Sequence, residues 1–181
     1  MRAHNSLRKI TLRALLAATM TMAFATHGFC GESGWTTDYA KAVARAKSEN
    51  KAILLDFTGS DWCGWCMKMK EETLDKPMFK HYAEKNLVLV EVDFPHSKPQ
   101  SDEVKAQNQS LSQKYKVGGF PSFIILNSNE EVLGSQIGYL AGGPIAFLAK
   151  LNTVYKPAAT SSSGGDDFDS FFKKPAGSPT P

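Results

Sequence analysis

The chain has 181 residues, 42% of them hydrophobic and 22% charged, with a formal net charge of +3, a composition that suits one globular domain. Four of its 21 Lys and Arg residues lie in the first 25 positions, which contain no Asp or Glu. The remainder therefore has 17 basic against 18 acidic residues. This balance argues against a nucleic-acid partner, which requires a basic patch.

The first 25 residues have the pattern of a secretory signal peptide. Basic residues between Arg2 and Arg13 precede an apolar run from Leu15 to Phe24, and Ala23-Phe24-Ala25 matches a small-x-small cleavage site. The run is too short for a membrane anchor. We predict removal of residues 1–25 on export to the periplasm, where disulfides persist, and a flexible lead at 26–34.

Hydrophobic periodicity and turn residues predict alternating helices and strands in the rest of the chain. In chain order these are a helix at about 38–50 with a Thr N-cap, a strand at 52–57, a helix through 67–72, a helix at 77–85, a strand at 87–92, a helix within 94–115, strands at 122–126 and 131–139, and a last helix opened by 142–144. This order predicts an α/β fold over residues 35–156, with a central mixed β-sheet and helices on both faces. The Ser/Gly/Pro-rich residues 157–181 are predicted to be a disordered tail.

The most informative motif is Cys63-Gly64-Trp65-Cys66, between the strand at 52–57 and a helix. Unpaired N–H groups and the macrodipole at a helix N-terminus stabilise a thiolate, which is the nucleophilic form of cysteine. In this context a CxxC pair indicates a redox-active dithiol. A fixed disulfide or half of a zinc site are the alternatives. No second CxxC follows, and Met67 stands where haem attachment needs His.

Three other sulfur-bearing residues leave alternatives open. Met67 and Met69 follow the pair, and thioethers favour Cu(I), although such methionines are more often core fillers. Cys30 is left over in the predicted lead. An unpaired cysteine is the simplest interpretation of Cys30, with a lipid-modified residue, a third redox thiol and an intermolecular crosslink as alternatives.

Three segments together resemble the thioredoxin superfamily: Leu55-Asp56-Phe57, Trp62-Cys63-Gly64-Trp65-Cys66 and Gly119-Phe120-Pro121. The segment from Phe57 to Cys63 is similar to the corresponding segment of secreted bacterial thioredoxin-like proteins, which are related to periplasmic thiol:disulfide interchange proteins. The resemblance covers about residues 35–155 and implies the three-layer thioredoxin-like fold. It also implies a thiol–disulfide oxidoreductase without metal or organic cofactor that acts on protein disulfides or thiols. We favour reductase or isomerase activity, with oxidase activity as the alternative.

The resemblance assigns a role to each cysteine. Cys63 matches the attacking cysteine, which forms a mixed disulfide with the substrate, and Cys66 matches the resolving cysteine. A membrane-bound thiol electron-transfer partner would then reset the pair. A different functional class remains open, in which the protein is a non-catalytic binding module and the disulfide is permanent and only structural.

The same resemblance implies a substrate-binding surface. Pro121 matches the cis-proline of the family, and the backbone around Phe120 could pair with a substrate strand. The thiols would be surrounded by a flat apolar surface formed by Trp62, Gly64 and Trp65.

Asp56 matches the buried aspartate that accepts a proton from the resolving thiol, since burial raises a carboxyl pKa. The chain departs from ordinary thioredoxins at three places. Leu89 stands in place of the lysine near that aspartate, Trp65 replaces a proline, and the segment Phe94–Tyr115 is longer.

Overall fold

The computed structural model describes residues 34–157. The predicted signal peptide at 1–25, Cys30 and the predicted tail beyond residue 157 lie outside the described residues. Within residues 34–157, no helix is both long and apolar enough to cross a membrane.

Five strands and five α-helices make up this part of the chain. The strands are β1 (Trp35–Thr36), β2 (Ala52–Thr58), β3 (Leu87–Asp93), β4 (Ser122–Leu126) and β5 (Val132–Ile137). The helices are α1 (Tyr39–Glu49), α2 (Gly64–Met69), α3 (Pro77–Asn86), α4 (Asp102–Lys114) and α5 (Gly143–Asn152), with a single π-helical turn, Lys70–Leu74, continuing α2.

The strands form one mixed sheet in the order β1-β3-β2-β4-β5. β1, β3 and β2 are parallel, whereas β4 runs antiparallel to both β2 and β5. The predicted mixed central sheet is therefore confirmed. All seven residues of β2 are buried, as expected for a middle strand covered on both faces.

Alternate residues of each strand pack against different helices. On one face, Leu54 and Leu89 belong to a core cluster with residues of α2, α3 and α5. On the other face, Leu55 and Val90 pack with residues of α1 and α4. Helices thus cover both faces of the sheet, and the three-layer fold predicted from the sequence is confirmed.

The start of α1 differs from the sequence prediction, which placed a Thr at the N-cap. Asp38 caps the helix instead, and its carboxylate accepts the Lys41 N–H at 2.9 Å. The Thr36 hydroxyl oxygen accepts the N–H of Asp38 at 3.1 Å. Asp is at least as good an N-cap as Thr, and the Thr side chain stabilises the turn before it.

Strand direction brings the site together. β2 ends at Thr58, and a short loop leads from it to α2. Within this loop the N–H groups of Trp62 and Cys63 donate to the Gly59 carbonyl oxygen at 3.3 and 2.9 Å. Because β4 is antiparallel to β2, Ser122 at its beginning pairs with Phe57 near the end of β2. The segment before β4 therefore lies at the same sheet edge as the cysteines.

Candidate active site

A disulfide joins Cys63 and Cys66, whose Cα atoms lie 5.2 Å apart. Cys63 is the N-cap of α2, and its Sγ accepts the N–H of Cys66 at 3.2 Å. Both residues are buried, at 7% and 4% exposure, but Cys63 lines a surface groove. The first turn of the helix thus presents the Cys66 N–H to the outer sulfur, in line with the thiolate stabilisation that the sequence predicts at a helix N-terminus.

A groove of about 570 Å³ opens over Cys63. Two segments line it: residues 62–65, which carry the first cysteine, and residues 117–120, which precede β4. The Phe120–Pro121 peptide bond is cis, as the family resemblance implied. Of the residues predicted to bind substrate, Trp62, Gly64, Trp65 and Phe120 line the groove, and Pro121 follows directly.

Trp62 forms one wall of the groove and is held from three sides. Its Nε1 donates to the Phe94 carbonyl oxygen at 2.7 Å. Its ring stacks on His96 with centroids 4.6 Å apart and meets the Phe120 ring edge-on at 5.8 Å. Trp62 is nevertheless 41% exposed, so the indole is fixed in orientation while one part of it faces solvent.

The beginning of the long segment 94–115 is tied to the loop before the cysteines. The Asp61 carboxylate accepts the N–H groups of His96, Ser97 and Lys98 at 2.9, 2.7 and 3.2 Å. These backbone hydrogen bonds hold the pKa of Asp61 below its usual value. The sequence did not reveal this connection, because an exposed Asp in a loop has many equally plausible roles.

Gly59 is required by the position of the Trp62 ring. A Cβ at residue 59 would lie 2.6 Å from Nε1 of Trp62, on the side chain that Phe94 and His96 hold in place. We expect Gly59→Ala to displace the indole and to lower the free energy of unfolding by about 1–3 kcal/mol, measured by urea denaturation and Trp fluorescence.

Gly118→Ala is the matched control, because a Cβ at residue 118 meets no atom within 4 Å. We expect its unfolding free energy to stay within about 0.5 kcal/mol of wild type. Equal stability of the two variants would show that the Trp62 ring moves without cost.

The other side of the groove is more open. Trp65 is 59% exposed and lies 5.3 Å from the Tyr139 ring. The Lys68 ammonium is 5.5 Å from the Trp65 ring and 5.1 Å from the Tyr139 ring. The Tyr139 hydroxyl donates to the Glu72 carboxylate. This surface combines aromatic area with one cation beside the disulfide.

Asp56 lies in the middle of the sheet, with Glu91 of β3 and Phe123 of β4 as its cross-strand partners. It is 8% exposed, and its Oδ1 has no hydrogen-bond partner among the described residues. Burial, followed by the charges of Glu91 and Asp93, raises the pKa of Asp56 to about 8, against an opposing effect of Lys70. This carboxyl therefore changes protonation near neutral pH.

Two residues near Asp56 were missed in the sequence analysis. Glu91 occupies the same face of the sheet as Asp56, and Lys70 approaches from the end of α2; both line a cavity with Asp56. Lys70 supplies a cation beside Asp56 from an element other than β3, the strand that contains Leu89. Aligning the two predicted strands β2 and β3 in parallel register could have identified Glu91 as the neighbour of Asp56. The position of Lys70 depends on how α2 packs.

Metal ligands do not cluster in this part of the molecule. Residues 34–157 contain no group of three or more His, Cys, Asp or Glu side chains that could hold an ion. Met67 is exposed, whereas Met69 is fully buried in the core. The two thioethers therefore lie on different sides of α2, which removes the argument that they act together on Cu(I).

Comparison with known proteins agrees with this geometry. The thioredoxin-like family model matches residues 34–128. The disulfide bond reductase DsbH of Chlamydia pneumoniae is 41% identical over 118 residues, which cover 65% of this chain and 70% of that protein. The thioredoxin-related protein DsbJ of the same organism is 29% identical over 130 residues, covering 68% of this chain but 37% of that protein.

Solved structures give the same result. A DsbH oxidoreductase structure matches with a TM-score of 0.63 and 40% identity, covering 66% of this chain and 82% of that chain. A thioredoxin from Thermus thermophilus shares the fold at a TM-score of 0.51 and 24% identity, covering 66% and 85%. The chain belongs to the thioredoxin-like family, and its CxxC pair is that of a thiol:disulfide oxidoreductase.

Proposed function

We propose that this protein reduces disulfide bonds of exported proteins in the periplasm. The observation that carries the proposal is the position of the Cys63 sulfur, at a helix N-terminus and in the wall of an open groove. Its similarity to DsbH, which is named a disulfide bond reductase, supports reduction over oxidation. The signal-peptide pattern of residues 1–25 supports the location.

The reaction is two successive thiol–disulfide exchanges. The Cys63 thiolate attacks one sulfur of a substrate disulfide, so that a mixed disulfide forms and the other substrate sulfur leaves as a thiolate. Cys66 then attacks the Cys63 sulfur, which forms the Cys63–Cys66 disulfide and releases the second substrate thiol. The substrate gains two electrons, and the protein loses two.

Asp56 is the proposed proton acceptor for Cys66. The resolving thiol must lose its proton before it attacks, and a base works best when its pKa lies near the operating pH. The pKa of Asp56, raised to about 8 by burial and by its acidic neighbours, meets this requirement.

The groove suits an extended polypeptide substrate. The segment 117–120 would offer backbone groups for pairing, and the exposed rings of Trp62 and Trp65 would cover apolar side chains beside the substrate cysteine. Because each turnover oxidises the pair, a membrane-bound thiol partner must supply two electrons to reset it. The proposed clients are therefore proteins with disulfides, together with this electron donor.

The direction of the reaction is tested by the reduction potential of the pair against glutathione. A reductase should lie near −270 mV, about the value of thioredoxin, and should accelerate insulin reduction by dithiothreitol. A value near −120 mV would identify an oxidant instead. Absence of insulin turnover, with a Cys63 thiol that titrates at about 8.5 like free cysteine, would favour a non-catalytic binding module.

A further inference from the structure

A second cavity, of about 130 Å³, is lined by Trp35, Asp56, Lys70, Leu74 and Glu91. Exposure increases across this lining: Asp56 is buried, Glu91 is partly buried, and the Lys70 side chain is 56% exposed. This volume is large enough to hold several water molecules. The cavity therefore joins the buried carboxyl to groups at the protein surface.

Asp56 and Glu91 form a carboxyl pair across β2 and β3. They are register partners in parallel strands, which places both side chains on the same face of the sheet. Asp56 lines the cavity together with Glu91, and its buried Oδ1 has no hydrogen-bond partner among the described residues. Two carboxyls in one site resist simultaneous ionisation, so each carboxylate makes the other a better proton acceptor.

We propose that Glu91 receives from Asp56 the proton that leaves the Cys66 thiol and passes it to water through this cavity, while Lys70 balances the negative charge of the pair. Glu91 acts through Asp56 and is a positioning residue for the exchange reaction. This inference rests on the proposed function, because it assigns a route to the proton that the resolving step releases.

The steps balance without an additional reactant. The Cys66 thiol gives its proton to the Asp56 carboxylate, and the resulting thiolate forms the bond to the Cys63 sulfur as the substrate thiolate leaves. The Asp56 carboxylic acid then passes its proton to the Glu91 carboxylate, and Glu91 releases it to water. Both carboxylates are regenerated, and electrons move only between sulfur atoms.

The remaining charged neighbours have other partners. Asp93 accepts hydrogen bonds from the Ser60 N–H at 2.8 Å and from the Ser60 hydroxyl, so its carboxylate stabilises the loop before the cysteines. The Lys70 ammonium donates to both oxygens of Asp75 at 2.6 Å, which holds it at the cavity rim. The charge of Lys98, like that of Lys70, opposes the raised pKa of Glu91.

The first test uses the oxidised protein, in which the cysteines do not titrate. The Asp56 carboxyl is followed by ¹³C NMR from pH 4 to 10 in the wild type, Glu91→Gln and Lys70→Met. Removing Glu91 should lower the pKa of Asp56, and removing Lys70 should raise it. Glu84→Gln, an exposed carboxyl on α3, is the control and should change nothing. Shifts of the same sign in both variants, or none, would overturn the assignment.

The second test measures the proton route. In single-turnover reactions with a substrate disulfide, Glu91→Gln should slow release of the substrate from the mixed disulfide about tenfold at pH 7 without slowing formation of the mixed disulfide. Glu91→Asp should restore most of the rate. If Glu91→Gln retains the wild-type rate and pH profile while Asp56→Asn is slow, the role of Glu91 is rejected and the proposed function stands. If the wild type reduces no disulfide, the proposed function fails, and the NMR titration still tests the pair.

Discussion

Replacing Cys66 by Ser should stop turnover and leave substrate covalently attached to Cys63. The C66S variant retains the attacking sulfur in the wall of the groove but lacks the thiol that releases the mixed disulfide. We expect insulin reduction to fall at least a thousandfold, on the scale of removing a residue that acts in every turnover. Non-reducing electrophoresis and mass spectrometry should detect the disulfide-linked complex.

The matched control is Cys63→Ser. This variant should be equally inactive but should accumulate no complex, because the remaining Cys66 does not line the groove and is almost fully buried. Circular dichroism should give the same folded signal for both variants. Complexes that form on C63S and not on C66S would reverse the roles assigned to the two cysteines.

Replacing Asp56 by Asn should stabilise the protein at alkaline pH. In the folded state, burial and the neighbouring carboxylates raise the pKa of Asp56 from 3.8 to about 8. The folded protein therefore binds this proton more tightly than the unfolded chain does, and the free energy of unfolding falls as pH rises from about 4 to about 8. Asparagine has no charge to desolvate, so at pH 9 the D56N variant should be more stable by about 3–5 kcal/mol.

Urea denaturation of the oxidised proteins at pH 5 and pH 9 measures this difference. The wild type should lose stability between the two values, and D56N should lose much less. Asp102→Asn is the control, because that carboxylate is 97% exposed, and its pH dependence between 5 and 9 should match the wild type. A D56N protein less stable than the wild type at pH 9 would mean that the Asp56 carboxylate is stabilised in the fold.

The stability gain should be accompanied by a loss of rate. The amide side chain of the D56N variant cannot accept the proton of the Cys66 thiol, so release of the mixed disulfide should slow about a hundredfold at pH 7. A residue that destabilises the fold while accelerating the reaction is typical of a functional site. Unchanged release at pH 7 would remove Asp56 from the mechanism and leave the roles of the cysteines intact.

Local sequence patterns were sufficient to predict the helices and strands and the chemistry of the cysteine pair. The continuous apolar run of β2 indicated a central strand, and the CxxC spacing at the start of α2 indicated the dithiol, because neither depends on distant residues. The position of Pro121 beside the cysteines followed from family resemblance. In the structure it results from the antiparallel register of β4 on β2, which pairs Ser122 with Phe57.

Local patterns did not identify the contacts made by side chains from distant segments. His96 and Phe94 hold Trp62 in place, although both lie more than thirty residues after Trp62 in the chain. Many loops with the same composition would not reach the indole ring. The Thr N-cap predicted for α1 was wrong for a similar reason, since Thr36 and Asp38 both fit the pattern and only the backbone path decides between them.

The sequence by itself determined which atoms exchange electrons: two thiols three residues apart, at the junction of a buried strand and a helix. Only the tertiary structure decided which charged groups surround the proposed proton acceptor, Asp56. Asp56, Glu91 and Lys70 come from three separate elements, and their distances depend on strand register and on the packing of α2 against the sheet. Electrostatic effects act through space between such groups, so the raised pKa of Asp56 is a property of the folded arrangement.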